Sequence, residues 1–133
     1  MDGYSGTPLW RKLGLRASHA AQLLHAPAGW MVPDAPERID WLTGETDAPA
    51  AVILAFHTDP AAFIAELPAL AERIRPAGMV WIAWPRKAAG HRSEMTENLI
   101  RDSALTIGLV DVKVAALDED WSGLKLVWRR EHR

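Results

Sequence analysis

The chain has 133 residues, of which 49% are hydrophobic and 24% charged, with a formal charge of −2 and no cysteine. That length and balance fit one globular domain with its own core, and the missing cysteine excludes a disulfide scaffold, a Cys-based zinc site and a thiol nucleophile. The near-neutral charge, with a pI near 6.2, argues against nucleic-acid binding, and no apolar run is long enough for a membrane span.

The start, Met1-Asp2-Gly3-Tyr4-Ser5-Gly6, carries no secretory pattern, so a cytoplasmic single domain over 1–133 is expected. Residues 1–14 read as an N-terminal arm and a short helix, with Thr7 as cap, Pro8 at the first helical position and Gly14 past the end. Trp10 and Leu13 would dock it. Ala20 to Ala26 reads as a buried strand. Pro27, Pro33 and Pro36 then exclude a full helix. Arg38 to Leu42 predicts a short edge strand, residues 43–50 a polar loop, and Ala51 to Phe56 a central strand apolar on both faces.

Asp59 caps the next predicted helix, with Pro60 at its first turn and Phe63, Ile64, Leu67, Ala71 and Ile74 facing inward. Pro68 should kink or divide it. Met79 to Trp84 predicts a strand and residues 85–90 a basic loop. Ser93 is the expected cap of a helix carrying Met95, Leu99, Ile100, Ala104 and Ile107, stopped by Gly108. Val110 to Ala116 and Leu124 to Trp128 predict a hairpin whose turn holds Asp118, Glu119, Asp120 and Trp121. The charged tail from Arg129 to Arg133 is expected to fray. Strands alternating with helices imply an α/β, Rossmann-like, mostly parallel sheet ending in an antiparallel β-hairpin.

From Ala51 onward the succession strand, Asp-Pro, helix, Arg-Pro-Ala-Gly, strand, helix, Gly-Leu-Val, strand, turn, strand resembles the C-terminal half of the class I S-adenosylmethionine methyltransferase fold. Ile74 to Val80 carries the turn into the fifth strand of that fold, and Gly108 to Val112 the entry to its sixth. The chain is also similar to a family of short bacterial proteins of unknown function. That likeness rests on Gly3-Tyr4-Ser5-Gly6-Thr7-Pro8-Leu9, Lys12-Leu13-Gly14, Ala26-Pro27 with Gly29, and Trp84-Pro85-Arg86-Lys87 before Gly90. It also rests on Thr96-Glu97, Gly108-Leu109-Val110-Asp111 with Lys113, and Trp121-Ser122-Gly123-Leu124.

The first resemblance implies a truncated methyltransferase-like fold, shortened at 27–50. True methyltransferases hold their cofactor on a glycine-rich turn after the first strand. The corresponding turn here, His25-Ala26-Pro27-Ala28-Gly29-Trp30, keeps one glycine, gains a proline and adds bulk. No cofactor is therefore expected, S-adenosylmethionine included.

In an open α/β sheet the ligand crevice lies at the carboxyl ends of strands, where strand order reverses. The residues that reach it on this reading are His25, Pro27, Gly29, Trp30, His57, Thr58, Asp59, Trp84, Arg86 and Lys87. His57, Asp59 and Lys87 are the candidate catalytic groups. Tyr4, Ser5 and Thr7 form a candidate lid. His25, His57, His91 and Asp59 are metal-type donors without recognisable ligand spacing, so no metal is expected. Arg86, Lys87, His91 and Arg92 would suit an anion. The leading expectation is a non-catalytic binding or regulatory module for a small anionic ligand or a protein partner, with no nucleic-acid or membrane role. The alternatives are a small transferase-type enzyme with an atypical cleft, and a homodimer or larger homo-oligomer meeting through its tryptophans.

Overall fold

The computed structural model describes residues 6–133, so Tyr4 and Ser5 of the expected lid lie outside the described residues. The elements run α1 (Leu9–Leu13), β1 (Ala20–Leu24), β2 (Asp40–Trp41), β3 (Val52–Phe56), α2 (Pro60–Arg73), β4 (Met79–Pro85), α3 (Glu97–Thr106), β5 (Leu109–Ala116) and β6 (Trp121–Trp128). Short 3-10 turns occupy Lys87–Ala89 and Arg130–His132. One six-stranded sheet has the order β2-β1-β3-β4-β6-β5. The first four neighbours are parallel, and β6 enters antiparallel between β4 and β5. This is the mixed, mostly parallel architecture expected.

Alternation along the central strands builds two cores. Ile53 and Ala55 of β3, with Val80 and Ile82 of β4, face α2 and α3. Leu54, Phe56 and Trp81 face the opposite layer, where Leu13 of α1 and Val32 and Ile39 of the coil before β2 cover them. Trp81 is fully buried there, and its indole N–H donates to the Leu13 carbonyl at 3.1 Å. That bond anchors the short α1, which could not stand alone.

Several local expectations are corrected. Pro8, not Thr7, occupies the cap position of α1, because its extended backbone (ψ 153°) leaves the helix to start at Leu9. Pro68 does not divide α2, which runs unbroken. It lies on the exposed side, where water can serve the carbonyl left without its partner N–H. Ile64 is 49% exposed, and Leu70 takes the inward place instead. Thr96, not Ser93, caps α3, accepting from the Leu99 N–H at 3.1 Å. Met95 therefore precedes the helix.

Trp121 opens β6 and is not in the turn. The tail does not fray from the body. Arg75 stacks 3.7 Å from the Trp128 ring and donates to the His132 carbonyl, while Arg133 Nε donates to the Trp128 carbonyl at 2.9 Å. Among the described residues no helix is long and apolar enough to cross a membrane.

Candidate functional site

The chain leaves β1 for β2 on one side and returns to β3 on the other, so strand order reverses at the carboxyl ends of β1 and β3. Leu24 pairs with Ala55 in register, so the two strands finish almost level. His25 follows the first and His57 lies just past the second. His25 takes a left-handed backbone (φ +60°), an uncommon state for a non-glycine residue. Its Nε2 lies 2.8 Å from Glu66 Oε2, and His57 Nε2 lies 2.8 Å from Glu66 Oε1. The two imidazole rings are 5.2 Å apart. His57 is buried, Glu66 partly exposed and His25 half exposed, so the cluster opens to solvent on its His25 side. Burial pushes the Glu66 carboxyl up, but the hydrogen bonds and charge of His57 and His25 outweigh it and hold the group below the ordinary range.

Sequence reasoning singles out both histidines and misses Glu66. Its one signal is a carboxylate a turn after buried Phe63, on the helix packed over the two strand ends. Thr58 and Asp59 are exposed beside the cluster. Asp59 accepts from the Ala62 N–H at 3.3 Å, as a cap should. The Thr58 carbonyl accepts from Ser93 Oγ at 3.3 Å, which links the β3 and β4 loops.

The turn after β1 closes on itself. Pro27 and Gly29 are exposed, and the Trp30 N–H donates to the Pro27 carbonyl at 3.0 Å. The Trp30 indole meets Phe56 edge-on at 4.9 Å, and Trp121 meets Phe56 edge-on at 5.0 Å. Trp30 Nε1 donates to Asp118 Oδ2 at 2.9 Å. Asp118 Oδ1 accepts the Asp120 and Trp121 N–H groups at 2.8 Å each. One carboxylate thus organises the hairpin turn and clamps the first loop to it. No helix follows β1 before Asp40.

The loop after β4 behaves differently. A cavity of about 550 Å3 opens between the end of β4 and the start of α3. Trp84, Pro85 and Met95 give it an apolar lining, while Lys87, His91 and Arg92 add basic groups and Glu97, paired with Arg101, an acidic one. Arg86 leaves this group: its N–H donates to the Asp120 carbonyl at 2.7 Å and its guanidinium to the Asp118 carbonyl at 3.0 Å. His91 lies 2.9 Å from Asp120 Oδ1. Lys87 and Arg92 make no ion pair among the described residues. Thr7 sits elsewhere, in a shallow pocket with Arg11, Lys12 and Lys113. The predicted cleft residues thus fall into a histidine cluster, a closed turn and an open cavity, with Arg86 tied to the hairpin turn.

A family model described as "Protein of unknown function (DUF3052)" matches residues 40–130, more than half of the chain. The protein belongs to this family. No curated protein matches the sequence. Among solved structures it is similar to the O-methyltransferase NcsB1 from neocarzinostatin biosynthesis, solved with S-adenosylmethionine and 2-hydroxy-5-methyl naphthoic acid. The TM-score is 0.60 at 15% identity, over 90% of this chain and 50% of that one.

It is also similar to magnesium protoporphyrin IX methyltransferase (ChlM) from Synechocystis PCC 6803 with bound S-adenosylmethionine, at TM-score 0.60 and 9% identity, over 91% of this chain and 74% of that one. The Methanococcus jannaschii fibrillarin pre-rRNA processing protein gives TM-score 0.56 at 14% identity, over 95% and 70%. At these identities the likeness establishes the fold, which is methyltransferase-like. The chain spans about half the length of the NcsB1 chain.

Proposed function

We propose that this member of the family is a ligand-binding module that transfers no methyl group. The residues at the fold's usual cofactor place do not fit S-adenosylmethionine. Such a cofactor needs close backbone approach and free amide donors on a helix-opening turn. Here Pro27 has no N–H, the Trp30 N–H is already bonded, no helix follows, and the Trp30 indole lies over Phe56.

The ligand is a small anion with an apolar body, such as an aromatic carboxylate, seated between β4 and α3. The observation that carries this reading is the cavity of about 550 Å3 in which Trp84 and Met95 lie beside two cations, Lys87 and Arg92, that no acid pairs among the described residues, the lining Glu97 being turned to Arg101. An apolar pocket with a few convergent polar groups is the usual form of a small-molecule site. The proposed setting, the cytoplasm of a bacterium, rests on the sequence likeness to short bacterial proteins.

Thermal-shift titration of the full chain with benzoate-type carboxylates, phosphate and S-adenosylmethionine tests this. The carboxylate is expected to raise the Tm in the wild type and not in Arg92→Glu. Stabilisation by S-adenosylmethionine, lost on altering Ala26-Pro27, would overturn the reading.

A further inference from the structure

We propose that His25, His57 and Glu66 form a binding site for a first-row divalent metal ion, with Zn2+ as the reference ion. The site shares no lining residue with the β4–α3 cavity, so it goes beyond the ligand reading above. It revises the expectation of no metal, which rested on spacing along the chain. The donors are spaced by the sheet: β1 and β3 end side by side, and α2 brings the carboxylate over them.

The chemistry of the set comes first. Two imidazoles and one carboxylate are the borderline ligands that suit zinc, cobalt, nickel and iron, whereas magnesium and calcium prefer all-oxygen shells. The geometry agrees. One donor atom from each residue falls within 4.8 Å of the others, and both histidine nitrogens already stand 2.8 Å from a Glu66 oxygen. Ligands around a tetrahedral ion with bonds of ~2.0–2.1 Å lie about 3.4 Å apart, so only a small side-chain adjustment is needed. Three protein donors leave a fourth position open, and half-exposed His25 provides the way in from solvent.

A second observation points the same way. His25, like Ser18 and Asp34, takes a left-handed backbone (φ +60°), a region that histidine enters more readily than most side chains. What this backbone achieves is to bring the His25 side chain to Glu66 and His57. Both Nε2 atoms converge on one carboxylate, so an ion that displaces their protons would meet all three donors together. His91 with Asp120 offers the contrast: an exposed pair that no third donor joins among the described residues, and so an internal control.

The test uses the full untagged chain after dialysis against chelator. Co2+ is expected to saturate at a single equivalent, with visible d–d bands that Zn2+ abolishes, while Mg2+ leaves them unchanged. Affinity should fall roughly 100-fold or more in His25→Ala and in Glu66→Gln, and stay at the wild-type value in His91→Ala. His25→Ala lies at a half-exposed turn, and circular dichroism checks that it folds. Absence of saturable Co2+ or Zn2+ binding in the wild type would overturn the proposal. So would binding that survives His25→Ala, or that falls equally in His91→Ala. These outcomes are independent of any carboxylate result in the neighbouring cavity.

Discussion

The loop after β1 and the loop after β4 leave the same edge of one sheet, yet the first is sealed by its own side chains and the second stands open. After β1, Trp30 lies on Phe56 and is held by Asp118. After β4, Trp84 lines a cavity, and Lys87 and Arg92 make no ion pair among the described residues. A fold that offers a crevice does not oblige the sequence to keep it. In the sealed loop, aromatic packing against Phe56 fills the place beside the strand end. On the proposed function, stability and binding fall to different ends of the same edge, and substitutions should separate them.

The largest effect is expected from Trp30→Ala. It removes an edge contact to Phe56, the hydrogen bond to Asp118 and a partly buried apolar surface, and should lower stability by about 2–3 kcal/mol in urea unfolding. If stability is unchanged, the loop is not sealed by that ring. Asp118→Ala breaks three hydrogen bonds at once and should cost about 1–2 kcal/mol by the same measurement. Asp59→Ala, which loses only a helix cap, should cost about 1 kcal/mol.

Glu66→Gln sharpens the comparison through pH. The folded carboxyl is held below its ordinary range, so its ionised form stabilises the native state at neutral pH. That contribution is lost as pH falls through the carboxylate range. Wild type should exceed the variant in stability at pH 7, and the gap should shrink steadily toward pH 3. A gap that widens in acid would contradict the assignment. Smallest of all, Lys87→Glu and Arg92→Glu should change stability by no more than about 0.5 kcal/mol, because neither side chain is ion-paired among the described residues. Loss of carboxylate binding without loss of Tm is the signature of the open loop.

The element order was legible throughout, because its signals are local: Asp59-Pro60 opening α2, Gly108 closing α3, and continuous apolar runs for β3 and β4. The α3 cap slipped because two candidates stood three residues apart. Both Ser93 and Thr96 can cap, and Ser93 is engaged instead with the Met95 N–H and the Thr58 carbonyl. The site was only half visible. His25 and His57 each follow an evident strand. Glu66 lies 41 residues from His25, and only the parallel pairing of β1 with β3 brings them together. The closure by Trp30 spans 88 residues and depends on the hairpin turn docking at the same edge. No periodicity reports a contact of that kind.

The two outer strands carry a consequence for self-association. β2 is two residues long, and β5 has an irregularity between Asp111 and Lys113 beside its exposed Val112 and Val114. A short strand at one margin and a bulged, charged one at the other are how sheets avoid being extended by a second chain. Two copies joining margin to margin into a continuous twelve-stranded ribbon is therefore the disfavoured form of dimer. Contact through its loops or its helical face would leave each sheet a closed unit.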